Sequence, residues 1–173
     1  MSATLYTFVL AMVLHPHVLR KAQKEIDKVL SRGNLPDVFD RESLPYLECV
    51  IEQTYRWNTV ILIGLPHEVS TADRYRGYNI PGRSVIISNL WGISQNHEAY
   101  PQPEMFIPEH FTQGGIPEAT AEDPRKFVFG FGRRACPGRL FADDNLWLAI
   151  ANLVAVFDSE RHTMTGAMKL PLW

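Results

Sequence analysis

A cysteine set in a glycine-punctuated, arginine-flanked loop, with a long apolar helix pattern directly behind it, constrains this chain more than any other feature. The stretch is Phe129-Gly130-Phe131-Gly132-Arg133-Arg134-Ala135-Cys136-Pro137-Gly138, and the apolar pattern runs from Leu140 to Phe157. Glycine admits backbone conformations that a Cβ penalises, so the loop can turn tightly and approach a ligand closely. A thiolate presented this way is suited to a soft metal centre.

Two other readings compete. A lone cysteine is most often a small buried hydrophobe held for its packing. Gly130-x-Gly132-x-x-Ala135 also satisfies the dinucleotide fingerprint G-x-G-x-x-G/A, precedes a helix and is followed by Asp158. Against a dinucleotide module, the run Lys126 to Phe129 is short for a buried strand, two arginines sit inside the fingerprint, and no further β-α-β alternation follows.

With 173 residues, 46% of them hydrophobic, and a formal charge of −2, the composition predicts one globular unit and excludes a nucleic-acid binder or a disordered tail. The two cysteines, Cys49 and Cys136, lie far apart in unlike contexts. Neither a disulfide framework nor a zinc cluster is indicated. Cys49 falls on an apolar helix face and reads as a packed thiol. The run Leu5 to Leu14 falls short of the roughly 20 residues a membrane-spanning helix needs, and it lacks the flanks of a signal peptide.

Along the chain the pattern is mostly helical. Thr4 to Leu14 and Pro16 to Leu30 form two helices broken near His15-Pro16, and Pro45 opens a third, Tyr46 to Trp57, with Leu47, Val50, Ile51 and Thr54 at helical spacing. From Val60 to Leu90, β-branched residues alternate with turn signals at Ser70 to Asp73, Gly77-Tyr78-Asn79 and Pro81-Gly82, which predicts short strands in hairpins. The proline-rich stretch Gln95 to Pro124 reads as an ordered meander or a long loop. The last helix spans Arg139 to Phe157.

The spacing F-x-x-G-x-R-x-C-x-G, met by Phe129, Gly132, Arg134, Cys136 and Gly138, resembles the haem-binding loop of the cytochrome P450 haem-thiolate monooxygenases. Leu14-His15-Pro16 leading into Lys21 to Asp27, Gly64-Leu65-Pro66-His67, and Phe106-Ile107-Pro108-Glu109-His110-Phe111 are similar to other parts of the same family. The resemblance covers residues 1 to about 158 and implies a mainly α fold with a small β component, the C-terminal half of a P450 fold of fungal or other eukaryotic microsomal type. Residues 159–173 read as a divergent tail. By this resemblance the cofactor is haem (iron protoporphyrin IX), with Cys136 as its axial thiolate and metal ligand. Arg134 is then suited to a charge-assisted bond with a propionate, and Phe129 packs beside the sulfur. His67 is either placed near a propionate or is a strand-end histidine bonded to backbone.

The resemblance further implies an apolar small-molecule substrate and an NADPH-dependent reductase. Arg125, Lys126, Arg133, Arg134 and Arg139 form a cationic cluster suited to an acidic redox partner. The family's habit points to the endoplasmic-reticulum membrane, while this chain, with no membrane anchor, reads as soluble or cytoplasmic. The family's distal acid and alcohol would lie upstream of Met1, so no catalytic residue is assigned. A truncated monooxygenase and a non-catalytic remnant that at most binds haem both stay open.

Two departures from the family pattern stand out. The E-x-x-R pair on the third helix reads Gln53 with Arg56, and P-E-R-F in the meander reads Pro108-Glu109-His110-Phe111. Glu52 is turned about 100° from the shared face and is expected to pair with Arg56 only from the side. A buried Arg56 beside a second arginine without a carboxylate leaves an uncompensated charge. Changing both positions keeps the charge balance, and a hydrogen-bonded Gln53, Arg56, His110 cluster is the expected substitute. Relaxed constraint on a chain no longer used for catalysis is the alternative.

Overall fold

The computed structural model describes residues 1–30, 34–112, 114 and 121–157. Asp158 and the expected divergent tail lie outside these residues. The architecture is mainly α with a small β component. Helices α1 (Ser2–Leu14), α2 (Pro16–Val29), α3 (Pro45–Trp57), α4 (Leu90–Ser94), α5 (Arg125–Val128) and α6 (Arg139–Val156) are accompanied by two largely exposed antiparallel strand pairs. The strands are β1 (His67–Glu68), β2 (Asp73–Tyr75), β3 (Tyr78–Ile80) and β4 (Val85–Ile86), paired β1 with β4 and β2 with β3.

Local chemistry fixes the long helices. Proline has no N–H to lose in a first turn and its ring presets a helical φ, so Pro16 and Pro45 each open a helix. The chain bends by 104° between α1 and α2 at His15, where Pro16 cannot continue the preceding ladder. Neither helix alone, nor any other among the described residues, is long and apolar enough to cross a membrane. Glu25 of α2 then caps α3 from outside: its two carboxylate oxygens accept from the Tyr46 and Leu47 amides, both at 2.9 Å. Those amides have no intrahelical partner, and a negative charge there complements the helix dipole.

One core joins α1, α2, α3 and α6. Phe8, Ala11 and Met12 of α1 meet Leu19, Ala22 and Ile26 of α2, Leu47, Val50 and Ile51 of α3, and Leu146, Trp147, Ile150 and Val154 of α6. Each large aliphatic side chain buried there stabilises the fold by about 1.5–3 kcal/mol. Cys49 is buried in this packing, as its position on α3 predicts, and burial pushes its thiol up to about 12.

Several local expectations are corrected. The β2–β3 turn is Arg76-Gly77, with φ of 49° and 87°, and Tyr78 and Asn79 are strand residues rather than turn residues. Two successive positive φ values match the right-handed twist of a hairpin, and glycine takes one of them without penalty. The run Lys126 to Phe129, too short for a buried strand, is a helical turn that ends at Phe129. The dinucleotide reading therefore lacks the strand its fingerprint must follow. The meander is ordered at Tyr100, Phe106 and Pro108–Phe111, whose side chains reach the core or the end of α3.

Candidate functional site

The loop after α5 is shaped by its own backbone. Gly130 and Gly132 take φ of 79° and 54°. At Gly130 a Cβ would meet only ordinary contact, 3.6 Å from the Arg134 carbonyl, so it is the positive φ that calls for glycine there. The Cys136 amide then donates to the Phe129 carbonyl at 2.7 Å, folding the loop back on its start, and the Arg139 amide donates to the Cys136 carbonyl at 3.3 Å as α6 begins. The Cys136 side chain is left free and exposed.

Beside it lies a largely apolar cavity of about 490 Å³, within the usual range for small-molecule sites. Cys136, Phe129, Arg134 and His67 line it together. Three arrive on the loop and the fourth, His67, comes from β1. Gly132 and Gly138 are not on the lining; they shape the loop, and a Cβ at Gly138 would come within 3.9 Å of the Cys136 sulfur. The donor set on this wall is thus a thiol, a guanidinium and an imidazole. The remaining wall is supplied by Val60, Ile61 and Leu65 after α3, and by Thr4 of α1.

Tyr55 is a lining residue that the sequence did not reveal. Its ring meets Phe129 edge-on with centroids 5.7 Å apart, and its hydroxyl donates to Asp143 at 3.1 Å. Burial, reinforced by the Asp143 charge, pushes its phenol far above the usual range. It sits one residue before Arg56, on a face of α3 that gave no signal until Phe129 was folded against it.

On the neighbouring face, Arg56 is fully buried. Its guanidinium donates to Gln53 Oε1 at 2.9 Å and to the carbonyls of Ser94, Pro103 and Met105 at 3.0, 2.7 and 3.0 Å. Gln53 in turn donates to the Met105 carbonyl at 3.1 Å. Burial draws Arg56 down to about 10. His110 joins differently from the expected cluster: its Nε2 lies 2.7 Å from the Pro101 carbonyl, and its buried Nδ1 has no partner among the described residues. Burial, with a further contribution from the Arg56 charge, lowers its pKa.

Two expectations about charge fail here. Glu52 does not pair with Arg56; it accepts from Arg125 at 2.8 Å. Arg125 does not belong to an outward cationic cluster, because Glu48, Glu52, Asp123 and Asp143 surround it at 2.6–3.1 Å. Arg41 shares Glu48 and Asp143 with it. Lys126 is exposed, as are Arg133, Arg134 and Arg139, but it lies 3.6 Å from Glu122.

The cytochrome P450 family profile matches residues 1–171. The chain belongs to the cytochrome P450 family. Cytochrome P450 monooxygenase 176 of Postia placenta is 48% identical over 169 residues, covering 97% of this chain and 32% of the relative. Cytochrome P450 monooxygenase 136 of the same fungus is 48% identical over 155 residues, 90% of this chain and 29% of the relative. Tryptamine 4-monooxygenase of Psilocybe cyanescens is 42% identical over 157 residues, 90% and 30%. The chain thus spans about a third of the length of the curated relatives it matches. P450 proteins as a family hold haem, take electrons from redox partners and act on small molecules.

Proposed function

We propose that this chain carries the haem-thiolate side of a monooxygenase, with Cys136 Sγ as the axial ligand and an apolar small molecule as substrate. The observation that carries the reading is the free Cys136 side chain on the wall of an apolar cavity that also holds Arg134 and His67.

The residues fit the group. A flat apolar macrocycle needs apolar walls, a soft donor for its metal, and polar partners for its two carboxylates; Phe129 with Val60 and Ile61, Cys136, and Arg134 with His67 would supply these in turn. When bound, haem with an axial thiolate supplies reductive activation of O₂, placing one oxygen atom in the substrate and the other in water. Everything else falls to the chain. The glycines and the Cys136 amide bond hold the sulfur at the wall; Arg134 would orient the propionate edge by a charge-assisted bond, and Phe129 would pack beside the sulfur. Val60 to Leu65 offers the apolar surface for substrate. Arg133 and Arg139, exposed beside the loop, suit an acidic reductase face.

The test is the ferrous carbon monoxide difference spectrum of the haem-loaded chain. Thiolate ligation predicts the long-wavelength Soret band, and Cys136→Ala should abolish it and weaken haem retention. An identical spectrum in the variant would falsify the assignment.

A further inference from the structure

We propose that Tyr55 is a positioning residue for the cysteine loop, holding Phe129 and through it the backbone of Cys136. The proposal rests on the reading of Cys136 as haem ligand for its functional meaning, but its physical content stands on contacts within this chain.

The contacts form a continuous line. Asp143 of α6 is fixed by Arg41 at 2.7 Å and Arg125 at 3.1 Å, and both guanidinia are shared with Glu48 of α3. Its other oxygen accepts the Tyr55 hydroxyl, which sets the orientation of a ring buried on α3. That ring packs edge-on against Phe129, within the separation at which aromatic pairs attract beyond simple burial. Phe129 is the hinge residue of the loop: α5 ends on it, and its carbonyl receives the Cys136 amide at 2.7 Å. A shift of Phe129 therefore shifts the residue that presents the sulfur. No other aromatic ring among the described residues contacts Phe129 in this way, so the register of the loop against α3 depends on this pair.

Tyr55 touches the cavity wall as well, but its hydroxyl points to Asp143 rather than offering a proton to a ligand. Its effect is exerted through Phe129.

The protection of the Cys136 amide against hydrogen exchange reads this directly in the 173-residue chain without haem. Tyr55→Leu removes the ring and should lower that protection roughly 3- to 10-fold, the size expected for one aromatic contact, while the amides of α2 hold their values. Tyr55→Phe keeps the ring and should recover most of the loss. Unchanged Cys136 protection in Tyr55→Leu overturns the proposal. Should Tyr55→Leu fail to fold, Phe129→Leu cuts the same contact from the loop side, and wild-type protection there overturns it equally. Haem titration separates this from the ligand assignment: in haem-loaded protein, Tyr55→Leu should weaken retention by a similar factor. If Cys136→Ala retains haem normally, the ligand reading fails while the exchange result still judges Tyr55.

Discussion

At the scale of single residues, Arg56 shows how a buried charge is tolerated without a carboxylate. Three backbone carbonyls and an amide oxygen take up its donors, a set of partial negative charges in place of a full one. Burial still costs enough to bring the guanidinium down to about 10. A second charge in the same place has no such set. His110→Arg should therefore destabilise the fold by about 3 kcal/mol or more, measured by urea unfolding at pH 7.5. Adding Gln53→Glu supplies the missing carboxylate, and the double variant should recover most of that loss, a non-additivity that a thermodynamic cycle reads directly. Additive losses would show that the two positions are not compensating. The Gln53–Arg56 contact was legible from their spacing of three on one helix. The partner of His110 was not, because the Pro101 carbonyl is brought to it by the meander, and no periodic pattern marks an irregular backbone.

At the scale of elements, the junction of α3, α5 and α6 is an ion network with more acids than bases. Arg41 and Arg125 face Glu48, Glu52, Asp123, Asp143 and Asp144. Arg41 engages three carboxylates and Arg125 four, which ties three helices and the segment before α3 into one unit. The surplus of negative charge is felt by the least solvated members. Burial, with Asp123 and Glu48 adding to it and Arg125 opposing, pushes Glu52 up to about 7 from 4.5. An acid whose folded pKa is raised contributes stability that is present below about pH 4.5 and is lost as pH rises through about 7. Glu52→Gln keeps an acceptor for Arg125 without the charge, so it should be more stable than wild type by about 2 kcal/mol at pH 8, with the difference vanishing near pH 4. Burial lowers the pKa values of His15 and His110, so their contribution runs the other way, present above about 6.5 and lost as pH falls. It is common to both proteins and cancels in the comparison. Denaturant midpoints across this range check the sign; a constant difference at all pH values would mean that Glu52 titrates normally. Helices α2 and α3 were readable from apolar periodicity and their opening prolines, and α1 and α6 from their apolar runs. This network was not, since Arg125 looked like one more cation in a basic run, and only the packing of α6 against α3 turns it inward. The strands were placed by their turn signals, yet the Arg76-Gly77 turn shows the limit, because arginine carries no turn preference of its own.

At the scale of the whole molecule, large apolar side chains stand exposed on α1, on the segment after α3 and on α6. On α1, Tyr6 and Leu10 stand 75% and 47% exposed, and after α3, Ile63 and Leu65 stand 60% and 74% exposed. Isolated exposed hydrophobes are ordinary, but exposed large apolar side chains in this number are an aggregation liability. The core beneath does not depend on them: α1 is held from its other side by Phe8, Ala11 and Met12. Surface that drives association without supporting the fold can be removed at little cost in stability. The chain should therefore self-associate through the micromolar range, with a hydrodynamic radius that grows with concentration and a strong signal from an apolar fluorescent dye. Tyr6→Ser with Leu10→Ser should reduce both while leaving the unfolding midpoint within the narrow range of ordinary surface substitutions. A radius that stays monomeric for wild type across that range would mean that these exposed apolar side chains do not drive association. If the double variant instead unfolded early, the outward face of α1 would be part of the core after all.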